Sequence, residues 1–191
     1  MTERIVYAME EAGADLIELG IPFSDPTAEG PVIQAANVRA LSGGVTTDKI
    51  FDMVRRIRQK TSIPMVFMTY ANVVYSYGTE RFAKAAAEIG MDGPILPDVP
   101  FEEKEEFAIP FKEHGLDLIS LIAPTSHERI AMIAKEAEGF GISEPKQAKK
   151  MAAQSDGVIV GSAIVKLCEK YGADCVPNIS TFVKEMKDAI R

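Results

Sequence analysis

The chain has 191 residues, 47% of them hydrophobic, which is enough for one well-buried core. Its 28 acidic and 21 basic residues give a net charge of -7 without a block of Lys or Arg, which argues against nucleic acid as a partner. Charges run through the N-terminal stretch and no apolar run approaches about 20 residues, which argues against a signal peptide and a membrane span. We therefore expect one soluble, cytoplasmic domain over residues 1–191.

Short apolar runs alternate with amphipathic segments along the chain. The apolar runs predict parallel strands at 14–20, 63–70, 92–100, 116–124 and 156–163. The amphipathic segments predict helices at 2–12, 47–60, 79–89, 101–114, 127–138, 144–154 and 178–190. Gly13, Gly90 and Gly115 each follow a helical segment, where a left-handed C-cap is expected. The repeated strand–helix order predicts an α/β fold with a parallel sheet.

Two prolines interrupt this pattern. Pro94 lies inside a predicted buried strand, where its missing N–H costs a ladder hydrogen bond unless it is the first residue of the strand or part of a bulge. Pro110 lies inside the predicted helix 101–114 and predicts a kink or a split there.

The connections that follow the strands are longer than those that precede them and hold unusual residues. They read IPFSDPTAEGP (21–31), TYANVVYSYG (69–78), PDVPFEE (97–103) and APTSHE (123–128). In parallel α/β folds the functional residues lie beyond the carboxyl ends of the strands, so we expect the site in these connections.

Neither the cysteines nor the histidines suggest a metal site. Cys168 and Cys175 have neither metal-ligand spacing nor the density of a disulfide scaffold, which fits a reducing compartment. His114 and His127 are predicted at the surface, away from the strand ends.

Two glutamates flank the first of these connections. Glu18 lies within the apolar strand 14–20, where a charge is rarely placed, although a side chain facing solvent is the alternative. Glu29 precedes the helical segment PVIQAANVRAL, whose N-terminal dipole attracts an acid without any catalytic role. The sequence thus indicates an acid/base pair around a substrate and leaves the structural alternative open for each residue.

Six motifs together resemble the tryptophan synthase alpha chain family. They are, in order, DLIELGIPFSDPTAEGPVIQAANVRAL (15–41), MTYANVV (68–74), ILPDVPFEE (95–103), LIAPTS (121–126), GFGIS (139–143) and DGVIVGSAIVK (156–166). The resemblance covers nearly the whole chain. It implies a (β/α)8 TIM barrel that cleaves indole-3-glycerol phosphate to indole and glyceraldehyde 3-phosphate in tryptophan biosynthesis.

Relative to this family, two parts of the barrel are missing from the sequence. The chain begins inside what the family has as its first helix, without the first strand. Between KEAEG (135–139) and FGISEP (140–145) the segment around strands 6 and 7 is absent, so five of eight strands remain. A barrel of this kind usually needs about 250 residues, and either the molecule lacks the internal segment or the sequence as given omits it.

The resemblance implies roles for both glutamates. Cleavage of the bond between indole C3 and the glycerol side chain requires a proton on the ring carbon, removal of the indole N–H proton and deprotonation of a hydroxyl. Glu18 is implied as the main catalytic acid/base. Glu29 is implied as the carboxylate at the indole nitrogen, in the place where the family usually has an aspartate.

The resemblance also implies a substrate pocket. Four residues match positions that line the family's indole pocket: Ile33, Met68, Tyr70 and Ile95. Backbone N–H groups at Gly141, Gly161 and Ser162 are implied as the phosphate site, with Phe140 along the approach. No cofactor is implied in this chain.

A partner is implied as well, the tryptophan synthase beta subunit, in an alpha2beta2 heterotetramer. That subunit uses pyridoxal phosphate to condense indole with serine. The implied interface residues are Pro22, Asp25, Pro26 and Asn72, although Pro, Asp and Asn are also ordinary turn residues. Two other functions stay open: a weakly catalytic subunit that binds and activates the beta chain, and a stand-alone lyase that releases free indole.

Overall fold

The computed structural model describes residues 1–100, 103–122, 137–139, 142–152 and 157–190. The described strands are β1 (Ile17–Gly20), β2 (Met65–Met68), β3 (Gly93–Ile95), β4 (Ser120–Ile122) and β5 (Ala137–Gly139). The described helices are α1 (Thr2–Glu11), α2 (Pro31–Ser42), α3 (Thr47–Arg58), α4 (Ala71–Tyr77), α5 (Thr79–Glu88), α6 (Glu105–Glu113), α7 (Pro145–Ala152), α8 (Ser162–Tyr171) and α9 (Cys175–Ile190). A 3-10 turn covers Gly172–Asp174.

The chain divides into two compact units. We call Leu16–Ser120 the sheet unit, and Met1–Asp15 together with Leu121–Arg191 the terminal unit. Within the described residues no helix is long and apolar enough to cross a membrane.

The sheet unit is built on the parallel sheet β1-β2-β3. The register pairs Glu18 with Val66 and Gly20 with Met68, and it pairs Met68 with Ile95. An isolated parallel bridge between Ile95 and Ile119 continues the sheet beyond β3. Parallel strands joined through helices are the predicted arrangement, and it is confirmed.

One face of this sheet is covered by helices. Phe67 on β2 lies against Phe51 of α3 and Phe82 of α5, with ring centroids 5.3 and 5.9 Å apart. Phe82 in turn contacts Phe111 of α6 at 6.0 Å. Because all four phenylalanines are almost completely buried, they form the centre of the core of the sheet unit.

Helix α3 packs on the sheet through a stripe of apolar residues on one side of the helix. Its buried residues, Ile50, Phe51, Val54 and Ile57, recur at helical spacing on one side. Thr46 caps its N-terminus by accepting a hydrogen bond from the Lys49 N–H at 3.3 Å. Arg58, the last residue of α3, contacts the connection between α5 and β3: it donates to the Gly90 carbonyl at 2.7 Å and lies 3.0 Å from the Asp92 carboxylate.

The terminal unit has its own apolar contacts. Ile5 of α1 packs with Cys175 and Ile179 of α9. Met186 of α9 packs with Ile142 and Ala148, the latter on α7. The Lys187 ammonium also lies 2.5 Å from the Asp15 carboxylate. Strands β4 and β5 form a separate two-stranded sheet.

Several predicted elements differ from the observed ones. Strand β1 begins three residues later than predicted but ends at Gly20 as predicted, whereas β2 and β3 are shorter at both ends and β4 begins four residues later. The segment TYANVVYSYG is not a plain connection, since it contains α4. Within residues 157–163, the described part of the predicted strand 156–163, only Val158 forms an isolated bridge, and α8 begins already at Ser162. Most of the predicted helix 127–138 lies outside the described residues, and residues 137 and 138 belong to β5.

Pro94 and Pro110 also depart from expectation. Pro94 is the middle residue of β3, neither the first residue nor an isolated bulge, and its carbonyl accepts from the Ile119 N–H at 2.9 Å. Pro110 does not split its helix, because α6 runs through it. The glycine caps are confirmed, with φ of 98° at Gly13, 82° at Gly90 and 73° at Gly115.

Candidate active site

Glu18 lies on the sheet face opposite the helices. Side chains alternate along a strand, so Glu18 and Gly20 point away from the side of the buried Ile17 and Leu19. Directly paired residues of parallel strands share a face, and the register therefore adds Val66, Met68, Gly93 and Ile95 to the face of Glu18. Three predicted site residues, Glu18, Met68 and Ile95, thus lie on one surface of the sheet.

The part of this face around Glu18, Gly20 and Met68 is less covered than the helix-facing side. Glu18 and Met68 are half-buried and Gly20 is exposed, whereas Val66 and Ile95 are buried. No described heavy atom lies within 4 Å of the position that a Cβ on Gly20 would take. An acid on this face therefore lies beside apolar side chains and next to open space, which is a suitable place for an apolar substrate and a proton-transfer group.

The carboxyl ends of the three strands are tied together. Ile21 N–H donates to the Met68 carbonyl at 2.9 Å, and Thr69 N–H donates to the Ile95 carbonyl at 3.1 Å. The Thr69 hydroxyl also donates to the Ile21 carbonyl at 3.4 Å. The connections that follow β1 and β2 therefore leave the sheet from the same edge.

Glu29 and Tyr70 are brought into contact at this edge. The Tyr70 hydroxyl donates a hydrogen bond to the Glu29 carboxylate. The same hydroxyl accepts from the Thr27 N–H at 3.0 Å and from the Ala28 N–H at 2.8 Å. Residues 27–29 are thus fastened to the end of β2 through one phenol oxygen.

The contact with Tyr70 is relevant to the alternative interpretation, in which Glu29 only complements the dipole of α2. The N-cap of α2 is Gly30, which has no side-chain cap, and Glu29 stands one residue before it. The side chain of Glu29 bonds Tyr70, while its backbone carbonyl accepts from the Gln34 side chain at 2.9 Å. Its carboxylate is therefore held by a residue of the β2 edge, in addition to any attraction by the helix dipole.

No residue of the connection PDVPFEE is predicted from the sequence to belong to the site. The structure shows that Asp98 of this connection links the end of β3 to the same edge. Its two carboxylate oxygens accept from the Ala71 N–H at 3.0 and 3.2 Å, at the first residue of α4. An acid placed after one strand can cap a helix that follows the neighbouring strand. The available signal was an aspartate at the predicted strand end, but its partner is 27 residues away in the sequence.

The remaining predicted residues of the sheet unit lie around this cluster. Ile33 is half-buried in the first turn of α2. Pro22 and Pro26 are half-buried, and the exposed Asp25 accepts a hydrogen bond from the Ser24 hydroxyl. Asn72 is exposed on α4 and accepts from the Ser76 hydroxyl at 3.1 Å.

The predicted phosphate residues belong to the terminal unit. Gly161 is the N-cap residue of α8 and Ser162 its first residue, and both are exposed. Phe140 and Gly141 lie outside the described residues. In the described part of the chain no group of three or more His, Cys, Asp or Glu residues could hold a metal ion.

Burial raises the pKa of Tyr70 above its ordinary value of 10.0, and the hydrogen bond to Glu29 raises it further. The hydroxyl therefore keeps its proton, and its bond to the carboxylate, throughout the neutral range. Burial and the bond to Asp48 raise the pKa of Tyr77 in the same way.

These shifts predict alkaline destabilisation. Well below pH 10.0 both tyrosines are protonated in the folded and the unfolded chain. As the pH rises from 10.0 through the raised pKa values, the unfolded chain ionises first, so the free energy of unfolding falls. Denaturant unfolding should show a smaller fall in Y70F than in the wild type between about pH 9.5 and 11.5. Parallel pH dependences in the two proteins would contradict this.

A parallel α/β sheet with one acid on its face and a second acid at its carboxyl edge is the arrangement typical of enzymes that transfer protons at the strand ends. Comparison with known proteins gives the family. The tryptophan synthase alpha chain model matches residues 1–140 and 136–191. The two matches meet near KEAEG, where the sequence predicts the missing segment.

Curated relatives and solved structures agree with the family model. The tryptophan synthase alpha chain of Geobacter sulfurreducens is 41% identical over 230 residues, covering 99% of this chain and 87% of the relative. That of Lacticaseibacillus casei is 39% identical, covering 99% and 86%. A crystal structure of the alpha subunit from Legionella pneumophila has a TM-score of 0.88 at 33% identity, covering 99% of this chain and 86% of that one. The tryptophan synthase complex of Pyrococcus furiosus gives 0.89 at 29%, covering 98% and 91%.

The chain belongs to the tryptophan synthase alpha chain family. Its fold matches the TIM barrels of that family with a partial parallel sheet, as expected. Its reaction is the carbon–carbon lyase reaction that releases indole from indole-3-glycerol phosphate in tryptophan biosynthesis.

Proposed function

We propose that Glu18 is the acid/base of this lyase reaction and that Glu29 is the carboxylate at the indole nitrogen. The observation that supports this is the arrangement of the strand edge. Glu18 lies on the open sheet face with Met68 and Ile95, while Glu29 is held at the carboxyl end of β2 by Tyr70. The residue types and their positions suit a flat apolar ring with one N–H donor.

We propose that the cleavage proceeds in the following steps. The Glu18 carboxylic acid gives its proton to indole C3, and the Glu29 carboxylate accepts the indole N–H hydrogen bond as positive charge develops on the ring. The bond from C3 to the glycerol carbon then breaks, and its electron pair restores the aromatic ring. The Glu18 carboxylate takes the hydroxyl proton as that oxygen becomes the aldehyde oxygen of glyceraldehyde 3-phosphate.

The other proposed contacts follow the same scheme. Ile33, Met68, Tyr70 and Ile95 form the apolar surroundings of the ring. The phosphate residues implied by the family resemblance are Gly141, Gly161 and Ser162, with Phe140 along the approach; Phe140 and Gly141 lie outside the described residues. We expect no metal ion or cofactor in this chain for the reaction.

We further propose a tryptophan synthase beta subunit as the partner. The Pyrococcus furiosus relative forms an a2b2 complex whose subunits activate each other. Pro22, Asp25, Pro26 and Asn72 are our candidates for the contact, and Asp25 and Asn72 are exposed. Pyridoxal phosphate is expected in that partner.

An indole-release assay tests the lyase and separates the alternatives. The purified chain is incubated with indole-3-glycerol phosphate, alone and with a beta subunit, and free indole is measured. We expect slow release by the chain alone and faster release with the partner. High release that no partner changes would favour a stand-alone lyase. No release in either case, with faster indole–serine condensation by the beta subunit, would favour an activating subunit.

A further inference from the structure

The hydroxyl of Tyr70 is the junction of the Glu29 cluster. A phenol has one proton to donate and two lone pairs that accept. The Thr27 and Ala28 N–H groups, at 3.0 and 2.8 Å, occupy the accepting side. The single proton is therefore directed to the Glu29 carboxylate, and the hydrogen-bonding capacity of the hydroxyl is used within the protein.

The tyrosine itself is firmly held. The residue is 3% exposed, and its ring lies 5.2 Å from the ring of Phe23, measured between centroids. Tyr70 is also the N-cap residue of α4, and the next residue, Ala71, is fixed by the Asp98 carboxylate. The phenol oxygen thus has a defined position relative to β2 and β3.

We propose that Tyr70 is the positioning residue of Glu29: its hydroxyl fixes the carboxylate, and the loop that carries it, against the edge of β2. The proposal rests on the proposed function of Glu29 at the indole nitrogen. Tyr70 acts through Glu29 and needs no hydrogen bond of its own to the substrate. Glutamate has one more rotatable bond than aspartate, so a fixed donor matters for holding it within the tolerance that catalysis requires.

A double-mutant cycle tests this dependence. Y70F removes one oxygen atom and keeps the buried ring. We expect it to lower kcat by about 10-fold or more with a smaller change in KM, because the carboxylate loses its orientation. In the E29Q background, Y70F should change kcat by less than about 2-fold, because there is no carboxylate left to position.

Y77F is the matched control variant. The Tyr77 hydroxyl donates to the Asp48 carboxylate at 2.7 Å, which is the same type of bond at the other end of α4. Y77F should lose stability to a similar extent and keep the wild-type kcat. Thermal unfolding of each variant shows that the assays compare folded proteins.

A second measurement does not require the Tyr70 variant to fold. The hydrogen bond and the charge of Glu29 both raise the pKa of Tyr70. In E29Q one tyrosine should therefore ionise at lower pH than in the wild type, as followed by ultraviolet absorbance. Identical tyrosine titrations would show that the pair does not form in solution and would overturn the proposal.

The outcomes separate this inference from the function on which it rests. If E29Q retains wild-type indole release, the role of Glu29 is wrong and the inference falls with it. If E29Q is impaired while Y70F is not, only the inference is overturned. Equal losses from Y70F in the wild-type and E29Q backgrounds would mean that Tyr70 acts independently of Glu29, and would also overturn it.

Discussion

Replacing Glu18 with Gln is expected to lower kcat for indole release by about 10²- to 10⁴-fold while the chain stays folded. The amide has nearly the shape of the carboxyl group, but it can neither give a proton to indole C3 nor take one from the hydroxyl. The half-buried position on β1 tolerates a neutral polar group, so the melting temperature should change by only about 1–2 °C.

The same assay applied to E88Q supplies the control. Glu88 is an exposed residue of α5, and its replacement removes one negative charge without touching the open sheet face. Wild-type activity in E88Q combined with loss in E18Q would tie the effect to position 18. Turnover in E18Q within tenfold of wild type would remove Glu18 from the chemistry and leave it a surface residue of a strand.

The position of Glu18 illustrates what the sequence could predict. The alternation of Ile17, Glu18 and Leu19 places the acid on the face opposite two apolar residues as soon as the segment is taken as a strand. The register that brings Met68 and Ile95 to the same face depends on pairing between distant segments. Local periodicity carries no information on register, and these two residues came only from the family resemblance.

For a related reason, the contact between Glu29 and Tyr70 cannot be predicted from local sequence patterns. Both residues lie in connections that follow neighbouring strands, and this predicts proximity only to within the width of a loop. The bond itself depends on the backbone of residues 27–29, whose N–H groups turn toward the phenol. Such side-chain geometry is decided by tertiary packing, which no pattern of residue types specifies.

Helix α4 has no strong signal in the sequence, because its stability comes from outside its own segment. The segment ANVVYSY is short and contains β-branched and aromatic residues, which have modest helix propensity. Its first N–H is capped by Asp98, and the adjoining Tyr70 and the internal Val74 are buried. Tertiary contacts therefore outweigh a weak local preference here.

Gly93 lies in close contact with the backbone of Asp117 on the neighbouring segment. A Cβ at this position would lie 1.9 Å from the Asp117 carbonyl oxygen and 2.9 Å from its carbonyl carbon. Pro94 explains the approach. Its carbonyl accepts from Ile119, so in a parallel ladder its nitrogen faces the Asp117 carbonyl, yet it has no N–H to offer. That carbonyl lies instead against the bare α-carbon of Gly93.

Gly93→Ala is therefore expected to destabilise the chain by about 3 kcal/mol or more, since the added methyl group meets backbone that is fixed on both sides. For a chain of this size the loss corresponds to a melting temperature lower by about 6–12 °C. Gly20→Ala is the matched control, because Gly20 is also a strand residue and has no described atom within 4 Å of its would-be Cβ. G20A should unfold within about 2 °C of the wild type. If G93A unfolded at the same temperature as G20A, the close contact between Gly93 and Asp117 would not limit the stability of the fold. If G93A is strongly destabilised and G20A is not, the order Gly-Pro in β3 is a steric requirement of the sheet on which Glu18, Met68 and Ile95 are displayed.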